Sequence, residues 1–241
     1  MANKRFHSFI APWLFFVFAG IAMLLAGCGR ELQQRQAFID FLQDEMAKQQ
    51  TSIAVPTSTM RKRFGEYATH YDVVVDFNKA VAEHVGKPLN RLYRDSRVVL
   101  GNPEADAETR KRAILASRNM LQQLEKSLDN ELSIAESRFS TFSQPNDLKA
   151  VYSRAFDKYV RLPAQEFKVI VPMMGEMLDK ISAMFEFINA NKNKIEIRDG
   201  LIQVKDQALT VRLNEMQADI ARLESDIQAR HNEFSRQAAR R

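Results

Sequence analysis

In the last third of this chain the apolar residues Leu209, Leu213, Met216, Ile220, Leu223 and Ile227 step by four and three in strict alternation. Only an α-helix returns such residues to one face, and a heptad this regular predicts a helix that lies along another helix. The pattern runs from about residue 206 to 238, reaching Phe234 with Arg230 as an interruption. At about 1.5 Å per residue it spans roughly 50 Å, long for a single globular domain. Such a rod needs a long partner, either the earlier long helix of the same chain or a second chain. Leu213, Met216, Ile220, Leu223 and Ile227 are therefore the candidate protein interface, toward a partner protein or another copy.

Helix-breaking residues are few, eight Gly and seven Pro in 241 residues, so each can be weighed by itself. A first helix is expected from Glu31 to about Gln49, with Leu32, Phe38, Phe41, Leu42 and Met46 on one side. A second, from about Ser58 to Val85, carries Phe64, Tyr67, Tyr71, Val74, Asn78, Val81 and Val85 in one stripe. Gly86-Lys87-Pro88 is expected to end it, because Gly permits a helix cap and Pro cannot continue a helix. A shorter piece, Leu89 to Val99, precedes a helix from about Glu104 to Phe142 whose leucine stripe drifts with the 3.6 period. After "SQPNDLKAV", with Asn146 or Asp147 placed to cap, two helical runs follow, broken or kinked around Pro163 and Pro172.

One stretch departs from helix. In "KIEIRDGLIQVK" Ile195 and Ile197 alternate with polar residues, Asp199-Gly200 suits a two-residue type I′ turn, and Ile202 and Val204 alternate on the return. That register pairs Ile197 with Ile202 and Ile195 with Val204, and the apolar side should lie on the helices, because a lone hairpin is marginal in water. The fold class expected is mainly α: a helical bundle with long antiparallel helices and one small β-hairpin, preceded by a cleaved lipoprotein signal.

That signal occupies residues 1–27. Lys4 and Arg5 open it, an apolar run extends from Phe9 through Leu25, and small residues follow. Leu25-Ala26-Gly27-Cys28 resembles the bacterial lipobox, in which the cysteine thiol carries a diacylglycerol and becomes the first residue of the mature chain. The alternative is an uncleaved anchor, since the run nearly suffices to span a bilayer. Each buried acyl methylene contributes about 0.8 kcal/mol, so several chains on Cys28 would hold residues 28–241 to a membrane. Cys28 is the chain's one cysteine, and its modification leaves no thiol for a disulfide.

Lys and Arg outnumber Asp and Glu by 35 to 30, and removing Lys4 and Arg5 leaves 33 to 30. An exported lipoprotein would not meet nucleic acid, so mild attraction to an anionic membrane surface is the economical reading. Arg30, Arg35, Arg61, Lys62 and Arg63 are the candidate surface contacts, each worth about 1 kcal/mol beside anionic lipid.

Catalytic chemistry finds little support. Glu66 and His70 lie four apart and offer two metal ligands, but no HExxH or cysteine cluster completes a site. No serine stands in GxSxG or SxxK, and no glycine-rich phosphate loop occurs. No catalytic residue, metal or cofactor is therefore expected. Met173, Met174, Met177 and Met184 suit either a core or an adaptable apolar groove.

"QRQAFIDFLQ" (34–43), "DLKAVYSRAFDKYV" (147–160) and the "DGLIQ" turn resemble the YiaF-type family of bacterial envelope lipoproteins, a family of unknown function. The resemblance covers most of residues 28–241 and implies an envelope lipoprotein without bringing catalytic residues. Similarity to lipoproteins of enteric bacteria further implies that Gly29, in place of an Asp after the lipidated cysteine, favours the outer membrane over the inner. The function expected is a lipid-anchored, periplasm-facing, non-enzymatic binding or scaffolding component. The alternative is a carrier of an apolar or lipid ligand in a Met-rich helical cavity.

Overall fold

The computed structural model describes the backbone of residues 11–48, 53–100, 102, 105–198 and 201–240, with side chains from residue 29 onward apart from 197, 198, 201, 235 and 237–240. Among the described residues eight α-helices and one hairpin follow in order: α1 Ala11–Ala47, α2 Ser58–Phe64, α3 Ala68–Val81, α4 Lys87–Leu100, α5 Ala107–Ser140, α6 Asn146–Phe156, α7 Leu162–Ala190, β1 Ile195–Arg198, β2 Leu201–Val204 and α8 Gln207–Arg240. The expected class, a mainly α bundle with one small hairpin, is what the chain forms.

The principal core is aromatic. Phe38 of α1 is fully buried, with ring centroids 5.3 Å from Phe64 and 6.3 Å from Tyr152. Leu124 and Leu128 of α5 and Leu148, Phe156 and Val160 of the α6 rod close the same cluster. Here α1, α3 and α6 run parallel, as the pairs Glu31 with Tyr67 and Arg35 with Asp147 show at one end, and Asn78 and Glu45 with Tyr159 at the other. Antiparallel α5 crosses them, tied by Arg138 to Asp76 at 2.8 Å and Glu131 to His84 at 2.9 Å.

Beyond this core α4, α5, α7 and α8 form a second tier. Antiparallel pairing of α5 with α7 is marked by Lys168 against Asp129 at 2.5 Å and by the contact of Arg118 with Asp179. Ile114, Leu121, Val171 and Leu178 fill the seam. At its far end Ile188, Ile195 and Leu213 are buried together, with Ile202 and Val204 packed on them. The hairpin register is the one read from alternation, Ile195 with Val204 and Ile197 with Ile202. Asp199 and Gly200 lie outside the described residues.

Two expected helix ends are corrected. Gly86-Lys87-Pro88 does not end a helix: a π-turn, Ala82–Gly86, joins α3 to α4. Pro163 likewise fails to break the chain, because a second π-turn, Asp157–Arg161, joins α6 to α7. Both prolines stand two residues past their π-turn. A proline lacks the N–H that would bond the carbonyl four residues earlier and its ring clashes with that carbonyl. Widening the preceding turn to i+5 bonding, as in Leu162 N–H to the Asp157 carbonyl, lets the helix continue. The carbonyl orphaned by Pro163, that of Tyr159, accepts from Asn78 Nδ2 at 3.1 Å. Pro172 lies inside α7, so the two expected runs form one rod.

Further differences are local. Leu32, expected on the buried side of α1, is half exposed, while Val73 and Phe77 join the core beside the stripe read for α3. The helix after residue 104 starts at Ala107, capped by Asp106 Oδ1 accepting from Thr109 N–H at 2.6 Å. Pro145, not Asn146 or Asp147, occupies the N-cap of α6. The heptad helix α8 lies along α7: Lys180 approaches Asp219 at 3.7 Å and Glu166 meets His231 at 2.7 Å. Its partner is thus α7 rather than the helix at 107–140, because the hairpin reverses the chain directly back along α7.

Candidate functional site

Leu25, Ala26, Gly27 and Cys28 fall within the span of α1, but their side chains lie outside the described residues. What the structure defines is the turn that follows. Glu31 Oε1 accepts from Tyr67 OH at 2.6 Å, and burial together with this carboxylate pushes the Tyr67 phenol up to about 12. Arg35 Nε stands 3.5 Å from Asp147 and its Nη1 4.0 Å from Glu31. Gly65, at φ 60° and ψ −131°, turns α2 into α3 where a Cβ would fall 2.2 Å from Gln34 Oε1. The positive φ favours glycine here, and a Cβ would also push the Gln34 amide aside. The base of α1 is therefore fastened to α2, α3 and α6 within about two turns of Cys28.

The five cations read as membrane-surface candidates divide into two groups. Arg61 is held by Asp72 through two bonds of 2.5 and 2.7 Å, which keeps the carboxyl below its ordinary range and the guanidinium above its own. Arg35 is occupied as above. Arg30, Lys62 and Arg63 are exposed and make no ion pair among the described residues. Sequence could not separate these groups, because Asp72 and Asp147 meet their arginines only through tertiary packing.

The heptad residues are brought together on one seam. Leu213 and Leu223 are buried and Met216, Ile220 and Ile227 half-buried where α8 lies on α7. The stripe expected to receive another protein is thus largely covered by the chain itself.

Histidines are engaged singly. His70 Nδ1 is 2.7 Å from Gln144 Nε2, its ring stacks 4.0 Å from Phe142, and its carbonyl accepts from Tyr152 OH at 2.6 Å. Burial lowers its pKa, with Glu66 offsetting part of the effect. Among the described residues no three His, Cys, Asp or Glu side chains converge to hold a metal ion.

One feature was missed by sequence reasoning. Buried Lys158, in the second π-turn, donates to the Met46 carbonyl at 2.6 Å, and Tyr159 OH donates to the Glu45 carbonyl at 2.6 Å, so both close the C-terminus of α1. Lys158 beside Phe156, Tyr159 and Val160 in "VYSRAFDKYV" was the available signal. A groove does lie beside Met174 and Met177, two of the methionines read as core or as an adaptable apolar groove, but its α4 wall was no part of that reading.

The chain belongs to the family described as proteins of unknown function, DUF3053, whose model matches residues 15–240. It is similar to the uncharacterized protein YiaF of Escherichia coli K12, 27% identical over 177 residues, covering 71% of this chain and 74% of that one. The uncharacterized protein YiaF of Shigella flexneri matches with the same identity and coverage. No solved structure matches the chain. Among the described residues no helix is long and apolar enough to cross a membrane.

Proposed function

We propose that this chain is a lipid-anchored protein of the bacterial envelope, held by an acylated Cys28 with its helical domain facing the periplasm, at the outer membrane in preference to the inner. It acts as a non-enzymatic binding or scaffolding component at the membrane surface. The observation that carries the reading is the fastening of Glu31 to Tyr67 and of Arg35 to Asp147, with Gln34 lying against Gly65. With only Gly29 and Arg30 between the cysteine and this base, a lipid on Cys28 would mount the bundle without a slack linker. Exposed Arg30 would then sit at the level of the lipid phosphates.

Metabolic labelling with an alkynyl palmitate tests the anchor. Wild-type protein should carry the label and sediment with outer-membrane vesicles, and Cys28→Ala should lose the label. Equal labelling of the two proteins, or wild type without label, would contradict the proposal.

A further inference from the structure

Helix α4 has no fully buried residue, yet it is strongly two-sided. Lys87, Arg91, Arg94 and Arg97 are exposed, as are Tyr93 at 64% and Val98 at 72%, while Leu89, Leu92 and Leu100 pack on α5 and α7. Between these helices runs a groove of about 160 Å³ whose walls are Leu92, Leu121, Met174, Met177, Leu178 and Ile181. Tyr93 and Arg97 form part of its margin.

Chemistry limits what this groove can hold. Of the three hydroxyls in its lining, those of Ser96 and Ser117 are already committed, lying 2.8 Å apart with Ser117 Oγ donating to the Ala113 carbonyl at 2.8 Å, and that of exposed Tyr93 stands at the margin. An inserted polar group would have to give up water for walls that are otherwise apolar, so the inserted part must be hydrocarbon. Its volume lies below the roughly 300 Å³ at which pockets begin to enclose drug-sized ligands, which fits part of one chain and not a diacyl lipid. Unbranched Met174 and Met177 side chains can shift to follow such a chain. At the margin, Arg97 makes no ion pair among the described residues, and Arg94 lies one turn back. A guanidinium fork matches a carboxylate in a two-bond geometry.

We infer that the groove between α4, α5 and α7 binds a long-chain carboxylate, with the hydrocarbon tail against Met174, Met177 and Leu121 and the carboxylate on Arg97. The site lies in the second tier, away from the base of α1, and does not depend on how the chain is anchored.

Photolabelling of the full chain in native membranes tests this. The probe is dodecanoate with a terminal diazirine, followed by digestion and mass spectrometry. Label is expected to be saturable and concentrated in the peptides carrying residues 92–100 and 174–181. Unlabelled dodecanoate should displace it and dodecylamine should not. Arg97→Glu should weaken labelling about tenfold, the scale of one lost charge-assisted contact. Met177→Trp should block the groove, with its helicity checked by circular dichroism, and exposed Arg97→Glu keeps the test decisive if that variant misfolds. Non-saturable or scattered label, equal displacement by dodecylamine, or unchanged labelling of Arg97→Glu would overturn the inference. Stronger displacement by a lysophospholipid than by dodecanoate would overturn the carboxylate assignment.

Discussion

The ammonium of Lys158, almost wholly buried, donates to the main-chain carbonyl of Met46 at 2.6 Å, 112 residues away in sequence. It thereby places a cation at the C-terminus of α1, where unpaired carbonyls and the helix dipole both favour positive charge. Burial lowers its pKa.

Replacing Lys158 by Met keeps the aliphatic stem and removes the donor. The Met46 carbonyl is then left without this partner, at a cost of about 1–3 kcal/mol. Urea denaturation followed by circular dichroism should show this loss, and an unchanged midpoint would mean that the cap contributes nothing.

Asn78 and Pro163 should be coupled. Asn78→Ala alone removes the donor to the Tyr159 carbonyl and should cost about 1 kcal/mol. In a Pro163→Ala background residue 163 regains an N–H that can serve the same carbonyl, so Asn78→Ala should cost measurably less. A double-mutant cycle by denaturation reads this coupling, and strict additivity would contradict the account of the π-turn.

Much of the fold was legible in the sequence, and the exceptions share a cause. The hairpin register followed from Ile195, Ile197, Ile202 and Val204 alone, because a two-residue turn leaves little freedom. Long helices followed from periodicity. Pro88 and Pro163 misled because a proline's local effect is to stop a helix, whereas here a widened turn absorbs each one, and the donor to the carbonyl before Pro163 comes from another helix. At the base of α1 the cations were visible, but not that Asp72 and Asp147 would take two of them. The heptad announced a long partner without saying which, since the stretch that forms α7 was read as runs broken or kinked around Pro163 and Pro172.

The α7–α8 seam should carry stability of its own. Leu213 is 4% exposed between Ile188 and Ile195, so Leu213→Ala should cost about 2–5 kcal/mol. Val211, 53% exposed two residues earlier, should be near neutral as Ala. Hydrogen exchange along α8 should accelerate in the first variant and not the second. Equal effects would place this face outside the fold.

Acid should weaken the bundle through His70. Its folded pKa lies below the ordinary 6.5, chiefly from burial, so the unfolded chain takes up the proton first as pH falls. Stability from the neutral ring is full above 6.5 and is lost as pH drops from there through the folded value. His70→Phe retains an aromatic ring against Phe142 while removing the titration. The urea midpoint of the wild type should fall between about pH 7 and pH 5, and this variant should flatten that slope. Identical slopes would exclude His70 as the source.

The anchor is tested most directly by the intact mass of the protein purified from membranes, beside a Cys28→Ser variant. A mass equal to residues 28–241 plus a diacylglycerol and an amide-linked acyl chain, absent in the variant, is the predicted result. A chain that retains residues 1–27 with an unmodified Cys28 would contradict the lipoprotein assignment and the sorting argument drawn from Gly29.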